Sequence, residues 1–196
     1  MILSRTENRI KRIESVLNKR QSSIVVVLEN IHDPHNVSAI LRTCDAVGVL
    51  EVQLVYTIEP FPEISKVSSS SANKWIKIRK FKSYDEFRNY NKSNNFLLAA
   101  SHLDKYSLLY DELDFSRKIA LVFGNENRGV SDEMLSCCDV TFKIPMHGMI
   151  QSLNVSVAAA VTLYEAERFF RKNGYYSKRQ LDDLTYQKLF NEWINE

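Results

Sequence analysis

Ile24-Val25-Val26-Val27-Leu28, then the polar run Glu29-Asn30-Ile31-His32-Asp33-Pro34-His35-Asn36, then Val37, Ile40, Leu41, Cys44 and Val47 with Gly48 behind them, decides the fold class. Five consecutive apolar residues without alternation belong to a strand buried on both faces, as in a parallel sheet. Pro34 resists helix in the residue before it, so the polar run is a turn. The apolar recurrence after it has the period of an amphipathic helix, and Gly48 stands where a left-handed C-terminal stop is wanted. Strand, polar loop and helix in that order are the first half of a βαβ unit.

The same alternation extends outward. Before the strand, Ile10, Ile13, Val16 and Leu17 recur at helical spacing over residues 5–20, with basic residues between them. After Gly48, Val52–Val55 is the next strand, and Phe61 to Ala72 is a loop containing the serine cluster Ser68–Ser71. Trp75–Ile78, Phe96–Ala100, Ile119–Phe123 and Val140–Ile144 read as further strands. Tyr84–Tyr90, Ser131–Cys137, Leu153–Phe170 and Leu181–Ile194 read as helices. Ser131 caps the second of these, and Asp132 and Glu133 complement its N-terminal dipole. Together they predict an α/β protein with a mostly parallel sheet and helices on both faces. Residues 1–20 form a basic N-terminal helix, 21–172 the α/β domain and 173–196 a helical tail beyond a hinge at Gly174–Lys178.

Composition narrows the chemistry. The 196 residues are 44% apolar and 26% charged, which excludes wholesale disorder. No apolar run is long enough for a membrane span, and charge in MILSRTENRIKRIE interrupts what a signal peptide keeps apolar. Cytoplasmic residence is the expectation. Cys44, Cys137 and Cys138 make no CxxC pair and no even disulfide framework. Only five glycines occur, and three of them (Gly124, Gly129, Gly148) fall between residues 124 and 148. Neither GxGxxG nor GxxxxGK[ST] is present, which removes the Rossmann fingerprint and the P-loop.

The net charge of +2 is unevenly spread. Residues 1–20 hold six basic side chains against two acidic, and residues 66–92 hold eight against two. The remainder carries twelve basic against twenty acidic. Such segregation marks either a phosphate-facing surface or solvated helix and strand faces.

Ligands of parallel α/β sheets bind beyond the carboxyl ends of the strands. Three loops there are polar. In the first, Asn36 reads either as a helix cap or as a functional amide, and Arg42 either as half of a structural ion pair or as a functional cation. The second, Gly124-Asn125-Glu126-Asn127-Arg128-Gly129, is either a turn satisfied by its own side chains or a ligand loop. The third runs from Pro145 through Met146, Met149 and Ser152 to Asn154, carrying small polar groups on an apolar loop into a helix N-terminus. Met146 and Met149 are expected to be buried. His32 and His35 lack further ligands at suitable spacing, so no metal is expected. No nucleophile elbow is visible.

ENIHDPHNVSAILRTCDAVGV (29–49), LVFGNENRGVS (121–131) and IPMHGMIQSLNVSVAAAVTLYE (144–165) together resemble the three motifs of the TrmH (SpoU) family of RNA ribose 2′-O-methyltransferases, in the SPOUT superfamily. The basic N-terminal helix and Ser70–Trp75 are similar to the branch that acts on guanosine 18 of tRNA. The resemblance implies a C-terminal trefoil knot, bound S-adenosyl-L-methionine and a homodimer. It implies catalytic roles for Asn36, Arg42, Glu126, Ser152 and Asn154. It implies cofactor contacts from Ser101, Gly124, Ile144, Met149 and Leu153. With the basic stretches, it assigns Arg5, Arg9, Lys11, Arg12, Lys74, Lys77 and Arg79 to RNA binding. The rivals are an rRNA 2′-O-methyltransferase of the same family and a non-catalytic RNA-binding module. The first motif begins by residue 29, leaving no room for the N-terminal domain common in rRNA-modifying members. The intact polar residues of the motifs speak against the non-catalytic module.

Overall fold

The computed structural model describes residues 2–62 and 72–196. Its centre is β1 (Gln21–Glu29), which pairs in parallel with β2 (Val49–Val55) on one side and β6 (Ile119–Phe123) on the other. Because neither neighbour leaves it an edge, Ile24–Leu28 is buried throughout. Ile24, Val26 and Leu28 face one layer of core, with Ile40, Leu41 and Leu163. Val25 and Val27 face the other, with Phe87 and Met134. The sheet has seven strands in the order β3-β2-β1-β6-β4-β7-β5, with β3 at Lys77–Phe81, β4 at Leu97–Ser101, β5 at Leu108–Leu109 and β7 at Val140–Lys143. All its pairings are parallel. Helices α2 (Pro34–Val47) and α5 (Val155–Lys172) cover one face; α3 (Tyr84–Ser93) and α4 (Asp132–Cys137) cover the other.

Local chemistry sets the element ends. Asp33 is the N-cap of α2, its carboxylate accepting the His35 N–H at 2.8 Å, and Pro34 occupies the first helical position. Proline has no N–H to lose there and its φ already suits a helix. The helix therefore starts before Asn36, which lies inside its first turn and does not cap it. Gly48 ends α2 at φ 86°, and a Cβ there would stand 2.7 Å from the Lys19 carbonyl. Ser131 caps α4 by accepting the Met134 N–H.

Trp75 and Ile76 are not in a strand. A turn of 3-10 helix, Ala72–Lys74, precedes them, and β3 begins only at Lys77. They are apolar because they pack: Ile76 lies in the main core, and Trp75 meets Trp193 edge-on at 5.1 Å between ring centroids. β5 is two residues long and left no periodic signal. The serine cluster Ser68–Ser71 lies outside the described residues.

Past α5, Gly174 takes φ 74° and the chain turns back. Tyr176 packs on Phe170 and donates its hydroxyl to the Val47 carbonyl at 2.7 Å. Helix α6 (Asp183–Ile194) then lies on α1 (Ile2–Leu17), with Ile13, Leu17, Leu181 and Trp193 forming a third buried cluster. Arg20, counted above with the basic surface, is fully buried beneath this cluster. Its guanidinium is paired with the Asp45 carboxylate, donates to the Val49 carbonyl at 3.0 Å and lies 5.3 Å from the Trp193 ring centre.

Candidate active site

Chain order in the sheet reverses around β1: β2 and β3 extend to one side, and the later strands fill the other. A crevice outside the carboxyl ends at such a reversal is the usual ligand site of an open α/β sheet. A cavity of about 500 Å³ opens there. Ser101, Gly124, Ile144 and Leu153 line it, and so do Glu126, Ser152 and Asn154. The three loops that supply these residues follow β4, β6 and β7, the last of them leading into α5, so adjacent strands bring together residues far apart in sequence. Met146 turns into the cavity, but Met149 does not: it is 99% exposed, among neighbours from His147 to Ser152 that are also exposed. The apolar loop stands off the core instead of filling it, which corrects the expected burial of Met149.

Gly124 has a specific reason to be glycine. The loop after β6 folds back on itself through an antiparallel bridge between Asn125 and Gly129. A Cβ on Gly124 would lie 2.3 Å from the backbone of Gly129 and Val130. Fixed backbone cannot step aside, so even one methyl group displaces the cavity wall.

Beside the cavity, the motif residues form one hydrogen-bonded chain. The Glu126 carboxylate accepts the backbone N–H groups of His32 (2.9 Å) and Asp33 (3.1 Å) and the Asn36 amide (2.9 Å). Asn154 donates its amide to Asn36 Oδ1 at 3.1 Å, while its own Oδ1 caps α5 by accepting the Ser156 N–H at 2.8 Å. Partial burial pushes the Glu126 carboxyl up. The donors from Asn36, His32 and Asp33 outweigh that and hold it below its ordinary value. This chain joins the three loops and fixes an anionic group beside the cavity. Neither Glu126 nor Asn36 is spent on a self-contained turn. Arg42, further along α2, is exposed and makes no hydrogen bond or ion pair with the described residues. Among the described residues the ion-pair reading of Arg42 thus finds no carboxylate.

Sequence reasoning passed over three supports of this site. Asn30, buried at φ 47°, accepts the N–H groups of Thr57, Ile58 and Glu59 on its side-chain oxygen. Asn125 donates its amide to the Asn30 carbonyl at 2.7 Å and accepts the Asn127 and Arg128 N–H groups. Glu29, buried at the end of β1, accepts the Tyr84 hydroxyl at 2.7 Å and the Ser131 N–H at 3.0 Å, and is paired with the Ser131 hydroxyl. The available signal was a carboxylate and an amide directly behind an apolar strand, which burial allows only with partners.

The basic candidates sit mostly around the third cluster. Lys11 and Arg12 are exposed on α1, and Arg9 donates to the Trp193 carbonyl at 3.1 Å. Lys74 pairs with Glu196 at 3.0 Å, and Lys77 and Arg79 both pair with Glu51 at 3.1 Å. The Arg5 side chain lies outside the described residues. The Trp75–Trp193 contact and the Lys74–Glu196 pair bring Lys74 to the same side of the molecule as α1 and α6.

A parallel α/β sheet, a cavity of mixed polarity at its reversal point and an anchored carboxylate beside it define a small-molecule-binding α/β enzyme. Among the described residues, no group of three or more His, Cys, Asp or Glu side chains could hold a metal, and no helix is long and apolar enough to cross a membrane. The chain belongs to the SpoU rRNA Methylase family, whose model matches residues 23–164. It is 45% identical over 192 residues to the tRNA (guanosine(18)-2′-O)-methyltransferase of Thermus thermophilus, with 98% of each chain covered. A 23S rRNA (guanosine-2′-O-)-methyltransferase of Acinetobacter baylyi is 34% identical over 161 residues, covering 81% of this chain but 64% of that protein. Among solved structures, the A. aeolicus TrmH/SpoU tRNA modifying enzyme superposes with a TM-score of 0.90 at 38% identity, covering 97% of this chain and 96% of the other. The AdoMet-bound rRNA methyltransferase of Sinorhizobium meliloti superposes with a TM-score of 0.69 at 26% identity, covering 79% of this chain and 59% of that one.

Proposed function

We propose that the protein methylates the ribose 2′-hydroxyl of guanosine 18 in tRNA, using S-adenosylmethionine, in the cytoplasm. The observation that carries this reading is the juxtaposition of the cavity with the Glu126–Asn36–Asn154 chain. The choice of tRNA over rRNA rests on likeness: identity is 45% over 192 residues to the Thermus enzyme and 34% over 161 residues to the rRNA enzyme.

The cavity suits the cofactor. Its volume is within the range of about 300–1,000 Å³ for small-molecule sites, and its walls mix backbone with apolar side chains such as Ile144 and Leu153. When bound, S-adenosylmethionine supplies a methyl group already activated on a sulfonium. The chain's task is then alignment and proton handling. Gly124 keeps the wall low, and Ser101, Ile144 and Leu153 hold the cofactor and exclude water. Met149 is left to a second copy of the chain or to the substrate. A guanidinium does not serve as a general base, so the role of Arg42 is to position and not to take the hydroxyl proton. It holds an RNA phosphate beside the ribose, and that phosphate accepts the proton. Asn36, oriented by Glu126 and Asn154, positions the ribose with Ser152.

Two copies of the chain act together in this reading. Leu103, Met149, Ile150, Val157 and Tyr164 are exposed beside the cavity and along α5, the surface a partner copy would cover. Lys11 and Arg12, with Arg9 and Lys74 nearby, receive the phosphates. The test is transfer of a radiolabelled methyl group from the cofactor to a tRNA transcript, compared with a transcript carrying 2′-O-methylguanosine at position 18. Incorporation into the first and not the second is expected; equal incorporation into both overturns the assignment.

A further inference from the structure

Glu126 does its work only if the loop after β6 and the loop after β1 keep their spacing, since one supplies the carboxylate and the other its donors. Besides Glu126 itself and the Glu29–Ser131 contact behind it, these loops are tied at their base and at their rim. At their base, Asn125 donates to the Asn30 carbonyl, and Asn30 Oδ1 gathers the N–H groups of residues 57–59. A third loop, the one after β2, is thereby fastened under both. At their rim, that third loop presents Glu59. Its carboxylate accepts Arg128 Nη2 at 2.9 Å and lies 3.5 Å from His32 Nδ1. Arg128 is two residues past Glu126. The backbone N–H of His32 is itself a donor to Glu126.

We infer that Glu59 is a positioning residue for methyl transfer: it clasps Arg128 and His32 and so fixes the distance across which Glu126 grips the first motif. This rests on the proposed function, in which Glu126 orients Asn36. The Asn30–Asn125 tie is independent of Glu59, so removing the clasp leaves the fold and the cavity in place and loosens only the rim. Displacements on the scale of 1 Å at aligned reacting groups cost up to about a hundredfold in rate. Losing the rim tie alone should cost about tenfold. A different role for the same contacts makes an opposite prediction. If Glu59 merely neutralised Arg128, removing it would free a cation and tighten RNA binding without changing the rate at saturation.

Steady-state methylation of a tRNA transcript separates these. For Glu59→Ala, kcat falls about tenfold, KM for tRNA stays within about twofold, and cofactor affinity by calorimetry stays within about twofold. Arg128→Ala lowers kcat similarly, and the double variant is no slower than the worse single one, because both act through one clasp. Glu59→Gln keeps an acceptor for Arg128 and recovers part of the rate. An unchanged kcat in Glu59→Ala, a lower KM at unchanged kcat, or multiplicative losses in the double variant overturns the inference. Failure of the wild-type protein to methylate tRNA overturns the proposed function and this inference with it. An active wild type with an unaffected Glu59→Ala overturns this inference alone.

Discussion

Glu126 is held by three donors, and this makes its charge a stabilising element with a defined pH window. Its carboxyl is held below the ordinary glutamate range, so it binds a proton less readily folded than unfolded. That stability is present at neutral pH and is lost as pH falls through the folded value, which lies below the ordinary glutamate value. Glu126→Gln presents an amide N–H to at least one of these donors, so its melting temperature should lie below that of the wild type at pH 7. The gap should narrow in acid; a gap independent of pH contradicts the ionised assignment. Gly124→Ala should weaken cofactor binding at least tenfold in calorimetry, since its Cβ meets backbone at 2.3 Å. Unchanged affinity would remove Gly124 from the cavity wall. At this scale the sequence was legible where polar residues cluster behind strands: Asn36, Glu126, Ser152 and Asn154 converge as their loops suggested. Asn30 and Glu59 were not legible, because their partners lie in loops far away in sequence. Met149 misled because an apolar side chain on a loop carries no signal for which way the loop faces.

Elements were readable wherever one local rule dominated. The strand at Ile24–Leu28, the stop at Gly48 and the cap at Ser131 follow from apolar runs, left-handed backbone and side-chain capping. The shifted start of β3 shows the limit, since Trp75 is apolar for its contact with Trp193 and not for pairing. The packing of α1 on α6 was likewise hidden, as helical periodicity names a face but not its partner. Arg20 joins that packing to α2 through Asp45, three residues beyond Arg42. Arg20→Ala should therefore destabilise the protein by about 3 kcal/mol in urea denaturation, because it leaves Asp45 and the Val49 carbonyl without their donor. A loss under 1 kcal/mol would make the pair incidental. Neutralising Lys11 and Arg12, which are exposed on α1, should leave stability unchanged, weaken tRNA binding and flatten its salt dependence.

The arrangement of the whole molecule follows from strand order. β6 enters between β1 and β4, and β7 between β4 and β5, each slotting between strands formed earlier in the chain. Insertion of this kind agrees with the knot that the family resemblance implies, and no periodicity in the sequence encodes it. The same order gathers the ends of β4, β6 and β7 around one cavity and sets β1 beside β6, which is why three distant motifs, after β1, β6 and β7, make one site. Exposed apolar side chains beside that cavity predict a dimer: light scattering at micromolar concentration should give about twice the chain mass of 22.7 kDa. A monomer under those conditions contradicts the partner surface. Alignment of ribose and cofactor depends in this proposal on Arg42, which is exposed and has no ion pair among the described residues. The most direct test is methyl transfer to a tRNA transcript by Arg42→Ala, read beside its cofactor affinity, with the modified nucleotide identified by mass spectrometry in the wild-type reaction. The wild type should give 2′-O-methylguanosine at position 18, and the variant should show turnover reduced at least a hundredfold with cofactor affinity within about twofold. Full turnover by Arg42→Ala, or a methyl group on a base, would contradict the proposal.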